Sequence, residues 1–296
     1  LTSTNANVDL KAGGSITTQG TVNALNNVIA NANGNINTNG DVTATNGKAV
    51  LNSSAGSVTT KNVTAGQAVD IDAEQDITAD GNLTSNNADS TLDAGGKITI
   101  NGKTKALKNV TANAKGDINT NGDVTAQTGN ATLNSSTGNV NTGNVKANND
   151  VDIDAAKDIT ANGSLTSDTA NVDLNAGGSV TTKNVTAGQV VDIDAVQNII
   201  ANGNLTSTNA NVDLKAGGSI TTNSTVNANN NVIANANGDI NTNGDVTATN
   251  GNAVLNSKGG NVNTQNVTAG QAVDMDAAQD ITTEIMPRRK PRWHRL

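Results

Sequence analysis

The 296-residue chain contains no cysteine, phenylalanine or tyrosine, and only one tryptophan, one histidine and two prolines. Without cysteine, the chain forms neither disulfides nor thiolate metal sites. With almost no aromatic side chains, it cannot build the core of an ordinary globular domain. The aliphatic residues that remain are mostly small and evenly spread, which predicts a thin core running continuously along the chain.

Catalytic residue types are scarce as well. Residues 1–283 contain no histidine, cysteine or arginine, and no aromatic side chain on which a sugar ring could stack. Parallel β-helices do occur among pectin-degrading enzymes, so fold alone does not decide function. Because the histidine, cysteine and arginine side chains that acid–base and nucleophilic sites combine are absent here, we predict that the chain is not an enzyme and uses no cofactor.

Charge divides the chain into two parts. All four arginines lie within the last ten residues, together with the histidine, the tryptophan and both prolines. We therefore predict a repeat shaft over residues 1–283 and a non-repetitive, disordered basic tail over residues 284–296. The shaft carries 13 lysines against 25 acidic residues, a net charge of −12, which repels nucleic acid and anionic lipid. No stretch approaches the roughly 20 apolar residues of a membrane-spanning helix, so we expect no membrane insertion.

The sequence repeats itself. The segment LTSTNANVDLKAGGSITT occurs at Leu1 and again at Leu205, a shift of 204 residues, and GDINTNGDVTA occurs at Gly116 and again at Gly238. Both shifts are multiples of about 20.4 residues, the length of one coil in a solenoid protein.

Each period contains three short apolar segments separated by turn residues. In Val69–Ala73, apolar and polar residues alternate, which is typical of a half-buried strand. Glycine and asparagine, as in Asn121–Gly122, fill the turns, and we expect them to supply positive φ angles there. The pattern predicts an all-β protein, a parallel β-helix (β-solenoid) of about 14 coils of about 20 residues with three short strands each. Thr104 occupies an inward position that is aliphatic in neighbouring coils.

Coils such as NVDLKAGGSITT, GDINTNGDVTA and NVTAGQAVDIDA resemble the repeats of filamentous haemagglutinin-like exoproteins of two-partner secretion. The resemblance covers Leu1 to about Thr283 and extends to shaft repeats only. It does not include the secretion, toxin and anchoring domains of that family. It implies a right-handed β-helix, export through a dedicated outer-membrane transporter, and a place outside the cell.

The function that this resemblance implies is that of the structural shaft of a secreted or surface-exposed bacterial adhesin. Its partners would be a receptor or glycan on a host or neighbouring cell and, during export, the outer-membrane transporter. One alternative is the stalk of a contact-dependent toxin exoprotein. A second alternative, from the recurrent threonines, is an ice-binding β-solenoid.

Aspartates form a candidate metal site. If the coils are in register, Asp152, Asp173, Asp192 and Asp213 stack in one outward column, and a column of carboxylates could bind Ca²⁺. The calcium-binding nonapeptide of glycine-rich toxin repeats is absent. We therefore interpret the column as a solvated acidic face and predict no metal site.

Lysines form the one basic cluster of the shaft. Lys103, Lys105 and Lys108, with Lys97 and Lys115 nearby, surround the irregular coil at Thr104. They are candidates for contact with a sulfated glycan or a partner protein, although charge runs on solenoids are usually solubilising faces.

Asn-x-Ser/Thr sequons and a threonine series complete the candidates. The sequons are read first as a by-product of repeat composition and second as glycan acceptors; examples are Asn62, Asn82, Asn109, Asn184, Asn204 and Asn266. The threonines at Thr18, Thr38, Thr60 and equivalent positions lie two residues after an inward residue. We expect them to point inward or line a corner, which disfavours an ice-binding threonine face.

Overall fold

A computed structural model of the chain describes residues 1–283, and the predicted basic tail, residues 284–296, lies outside the described residues. Residues 1–283 form 42 strands and no helix. The strands belong to three parallel sheets of fourteen strands each, and successive strands of the chain visit the three sheets in turn. The predicted all-β parallel solenoid of about 14 coils with three short strands per coil is therefore confirmed.

Sheet A contains the first strand of each coil. Its strands are β1 Thr2–Ser3, β4 Val22–Ala24, β7 Val42–Ala44, β10 Val63–Ala65, β13 Leu83–Ser85, β16 Thr104–Ala106, β19 Val124–Ala126, β22 Val145–Ala147, β25 Leu165–Ser167, β28 Val185–Ala187, β31 Leu205–Ser207, β34 Val226–Ala228, β37 Val246–Ala248 and β40 Val267–Ala269.

Sheet B contains the second strand of each coil, which is five residues long throughout. Its strands are β2 Val8–Ala12, β5 Val28–Ala32, β8 Ala49–Ser53, β11 Val69–Ala73, β14 Ser90–Ala94, β17 Val110–Ala114, β20 Ala131–Ser135, β23 Val151–Ala155, β26 Val172–Ala176, β29 Val191–Ala195, β32 Val212–Ala216, β35 Val232–Ala236, β38 Ala253–Ser257 and β41 Val273–Ala277.

Sheet C contains the third strand of each coil, three residues long. Its strands are β3 Ile16–Thr18, β6 Ile36–Thr38, β9 Val58–Thr60, β12 Ile77–Ala79, β15 Ile98–Ile100, β18 Ile118–Thr120, β21 Val140–Thr142, β24 Ile159–Ala161, β27 Val180–Thr182, β30 Ile199–Ala201, β33 Ile220–Thr222, β36 Ile240–Thr242, β39 Val262–Thr264 and β42 Ile281–Thr283.

The core follows from strand alternation. In β11 the side chains of Val69, Ile71 and Ala73 are buried, whereas Asp70 and Asp72 face outward. The same alternation occurs in each sheet, so aliphatic side chains fill the centre of the rod along its length. Because each strand pairs in register with the equivalent strand of the next coil, every outward position becomes a column parallel to the rod axis.

Side-chain ladders hold the corners together. We name the turns between sheets by the sheets they join: corner AB, corner BC and corner CA. At corner CA, Asn62 Oδ1 accepts the backbone N–H of Asn82 at 2.8 Å, and Asn82 Oδ1 accepts that of Lys103 at 2.8 Å. At corner BC, Asp76 Oδ1 accepts the backbone N–H of Lys97 at 2.8 Å. These acceptors satisfy backbone donors that the short strands leave outside the sheets.

The expectation that the turns need positive φ angles is wrong. No residue in the described part of the chain has one. Glycine is required at corner CA for a different reason: a Cβ on Gly102 would collide with the backbone of Gly81 in the preceding coil. Gly122 stands in the same relation to Gly102. Close stacking of one turn on the next therefore selects glycine at these positions.

Candidate functional site

The predicted aspartate column exists on sheet B. Asp152 pairs with Asp173, Asp173 with Asp192, and Asp192 with Asp213, each on the neighbouring strand. All four side chains face outward and are partly buried between their neighbours. Parallel strands lie about 4.8 Å apart, so like charges recur along the face at this spacing.

This crowding changes the protonation of the column. Burial, followed by the negative charges of Asp154, Asp173 and Asp150, raises the pKa of Asp152 to about 6. Burial and the neighbouring aspartates likewise raise the pKa of Asp192 to about 6, against a smaller opposing effect of Lys215. The partial loss of hydration disfavours the charged form, and each adjacent carboxylate adds to the effect.

The column spreads its carboxylates along the rod axis. Among residues 1–283, no group of three or more acidic or histidine side chains converges on a point where it could hold a metal ion. The carboxylates therefore form a linear array along the rod, whereas Ca²⁺ requires oxygen ligands arranged around one point.

The lysines surround the coil on several sides. Strand β16 of sheet A contains Lys105, with Lys103 at corner CA before it and Lys108 at corner AB after it. Corner BC holds the other two lysines, Lys97 and Lys115. The interpretation of all five as one patch is therefore wrong. The partner-binding role of Lys103, Lys105 and Lys108 stays a prediction.

One of these lysines already has an acidic neighbour. Lys103 Nζ lies 3.0 Å from Asp123 Oδ2 in the next coil, and the Lys103 side chain is largely exposed. The hydrogen bond donated by Asn144, followed by the contact with Lys103, lowers the pKa of Asp123. Exposed pairs of this kind contribute little to stability, which fits a solubilising surface.

The sequons coincide with the corner ladders. Asn109 Oδ1 accepts the backbone N–H of Asn130 at 2.9 Å, and Asn109 Nδ2 donates to Asp89 Oδ1 at 2.9 Å. Asn184 Oδ1 likewise accepts the backbone N–H of Asn204 at 2.9 Å. A ladder asparagine, an inward valine or leucine and an outward threonine together spell Asn-x-Thr, so the fold itself generates the motif.

The Thr18 series points inward, as expected. Thr38, Thr60, Thr120 and Thr142 are buried, and Thr38 Oγ1 donates to Thr60 Oγ1 at 2.7 Å. A second threonine column, which was not predicted from the sequence, faces outward from the middle of sheet A. Its fourteen members are Thr2, Asn23, Thr43, Thr64, Thr84, Lys105, Thr125, Lys146, Thr166, Thr186, Thr206, Asn227, Thr247 and Thr268. The threonine of the recurrent Asn-Val-Thr segments was the signal that could have found it.

An open groove along corner BC was also not anticipated. Two adjoining cavities of about 1020 and 750 Å³ form it, and Asn134 and Ser136 line both. Small side chains such as Ala155 and Ala195 form its floor, and the second outward column of sheet B, including Asp154 and Asp194, forms one wall. No sequence signal marks the groove, because it arises only when the last residue of each sheet B strand stacks on its equivalents.

No family model, curated protein or solved structure matches the chain. The resemblance to filamentous haemagglutinin-like repeats therefore remains an interpretation of the sequence. Within residues 1–283, no helix is long and apolar enough to cross a membrane.

Proposed function

We propose that the chain is the structural, non-catalytic shaft of a secreted or surface-exposed bacterial adhesin that mediates attachment to cells or surfaces. The observation that carries the proposal is the uninterrupted register of three fourteen-stranded sheets. Neighbouring coils pair through every sheet, so each coil is stabilised by its neighbours along the whole stack. At about 4.8 Å per coil, the stack extends over about 65 Å.

Residue composition supports an external, extended role. The shaft lacks cysteine, which suits export of a long chain in an unfolded state, and its net negative charge keeps it soluble. The partners proposed are a receptor or glycan on another cell and an outer-membrane transporter during export. The transporter is proposed solely because the repeats resemble those of filamentous haemagglutinin-like exoproteins.

Attachment of cells to surfaces coated with the purified full chain tests this function. We expect more cells to attach to the folded protein than to albumin, and fewer to the same protein coated after urea unfolding. Equal attachment to all three surfaces would contradict the adhesive role. Small-angle scattering of the same preparation tests the shaft itself, since a compact particle would exclude a rod of about 65 Å.

A second candidate function is ice binding, favoured by the outward threonine column of sheet A. Thr43, Thr64 and Thr84 occupy consecutive coils, as do Thr166, Thr186 and Thr206. Regularly spaced hydroxyl and methyl groups on one face of the sheet would order water. Thermal hysteresis that is lost in Thr64→Lys/Thr186→Lys would support this function; Lys105 and Lys146 already occupy the column, so the variant is expected to fold.

A further inference from the structure

The corner BC groove has the dimensions of an extended peptide site. Its larger cavity runs from Asn134 to Lys258 and crosses six steps of the coil stack. Six steps of about 4.8 Å span about 29 Å, the length of about nine residues of extended polypeptide. The groove is open along its side, so a ligand can enter without any rearrangement of the sheets.

The groove floor is apolar. It is formed by the last inward residue of each sheet B strand, such as Ala155, Ala176 and Ala195, whose methyl groups remain slightly accessible. Val196 stands at the edge with 68% of its surface exposed. An aliphatic stem lying in the groove would therefore contact carbon on the floor and on one edge.

The groove wall and the sheet face beside it are acidic in sum. Asp154 and Asp194 line the larger cavity together with Lys215 and Lys258. The column of Asp152, Asp173 and Asp192 lies beside them on the same face, so carboxylates outnumber ammonium groups by five to two. Of the ion pairs in the described part of the chain, the pair of Lys215 Nζ with Asp194 Oδ2 at 3.3 Å is the one on this wall. Most of these carboxylates thus lie without a cationic partner, and their mutual repulsion favours an incoming positive charge.

We propose that this groove binds a lysine- or arginine-rich polypeptide segment in an extended conformation along the rod axis. Ammonium or guanidinium groups would meet the acidic wall while the aliphatic stems cover the alanine floor. A linear polycation fits better than a metal ion, because the carboxylates extend along the axis and do not converge. The proposal goes beyond the shaft function and holds whether or not the rod mediates adhesion.

The test measures binding of a fluorescent nonapeptide, Lys-Ser-Lys-Ser-Lys-Ser-Lys-Ser-Lys, to the full chain by anisotropy at low ionic strength. Alternation places all its ammonium groups on one side of an extended strand. The five basic residues within 284–296 are changed to glutamine in every protein used, so that they do not compete with the peptide. A peptide with glutamine in place of lysine controls for contacts of the backbone.

Variants of the groove wall make the test specific. Asp154→Asn/Asp194→Asn removes two wall charges at positions where neighbouring coils already carry asparagine, at Asn134 and Asn175. We expect it to weaken binding about tenfold, from the loss of two charge pairs. Lys215→Asn should strengthen binding because it frees the Asp194 carboxylate.

The matched control is Asp41→Asn/Asp245→Asn, which makes the same charge change at corner CA, where Asn62 and Asn82 show that asparagine is accepted. It should leave the affinity within about twofold of the parent. Equal weakening by the two double variants would reduce the effect to overall charge and overturn the proposal. Absence of binding at low salt, or equal binding of the glutamine peptide, would overturn it as well.

Discussion

Asp192 lies directly beside Asp173, one strand away in the same parallel sheet, with both carboxylates on the outer face. In-register stacking forces this proximity, since each copy of a repeat places its residues against those of the copy before it. Two negative charges are thereby held close together in a partly dehydrated position. The fold tolerates this arrangement and makes it sensitive to pH.

We predict that Asp192→Thr stabilises the protein at neutral pH. The folded state raises the pKa of Asp192 to about 6, whereas an unfolded aspartate titrates near 3.9. Between pH about 4 and 6 the folded chain retains a proton that the unfolded chain loses, so stability falls as pH rises through this window. Threonine occupies the same column at Thr132, and removing the carboxylate should add about 1 kcal/mol at pH 7.5 after allowance for solvent screening.

Urea unfolding of the parent and Asp192→Thr at pH 4 and pH 7.5 checks this prediction. The gain should be present at pH 7.5 and small at pH 4, where the aspartate is protonated in the folded state. Asp80→Asn is the control, because Asn101 and Asn121 occupy the same corner column in the next coils. The same gain at both pH values would show that charge repulsion is not the cause.

Thr104→Val should also raise stability. Thr104 is 1% exposed, and its hydroxyl has no hydrogen-bond partner within residues 1–283. Its paired neighbours Leu83 and Val124 are aliphatic. Valine keeps the shape of threonine and removes an unsatisfied buried hydroxyl, so we expect a gain of about 1 to 2 kcal/mol in the free energy of unfolding.

The reverse substitution, Val185→Thr, should lower stability by a similar amount, because it buries a hydroxyl between Leu165 and Leu205, where no partner is available. Chemical denaturation of both variants gives the two values. If Thr104→Val were neutral or destabilising, the Thr104 hydroxyl would have to have a hydrogen-bond partner in the folded protein.

Asn82→Ala tests the corner ladder. Asn82 Oδ1 accepts the backbone N–H of Lys103, and its backbone N–H donates to Asn62 Oδ1. Alanine removes the acceptor and leaves the donor on Lys103 without its partner, so we expect a loss of about 1 kcal/mol in the free energy of unfolding.

Asn82→Asp keeps a side-chain acceptor and removes the sequon, so it separates the two roles of this residue. We expect it to retain most of the parent stability in thermal or chemical unfolding. A protein produced without glycosylation that loses equal stability in Asn82→Ala and Asn82→Asp would refute the ladder explanation.

Gly102→Ala should destabilise the rod, because its Cβ would collide with the backbone carbonyl of Gly81 in the coil before. We expect a loss of about 1 to 3 kcal/mol, the usual cost of forcing an extra methyl group into close packing. Gly20→Ala is the matched control, since a Cβ at Gly20 meets no atom within 4 Å. Equal thermal stability of the two variants would mean that the turn at Gly102 relaxes freely.

The period and the alternation were enough to predict most of the fold. Val69, Ile71 and Ala73 face inward and Asp70 and Asp72 outward, as their alternation indicates. The aspartate column followed directly, because residues one period apart must meet when coils stack in register. The five lysines separate for the same reason that the aspartates align: Lys97 and Lys115 occupy corner BC of the period, whereas Lys103, Lys105 and Lys108 follow one strand of sheet A.

The sequence by itself determined the strands, their inward and outward faces, and the columns that equivalent residues form, because a repeat of about 20 residues combined with two-residue alternation leaves one arrangement of the core. Only the tertiary structure decided which residues contact one another in the turns at the corners. There the contacts join residues of different coils through turns of unequal length, which no local pattern encodes. The asparagine ladders, the exclusion of a Cβ at Gly102 and the groove beside Asp194 all arise from that stacking.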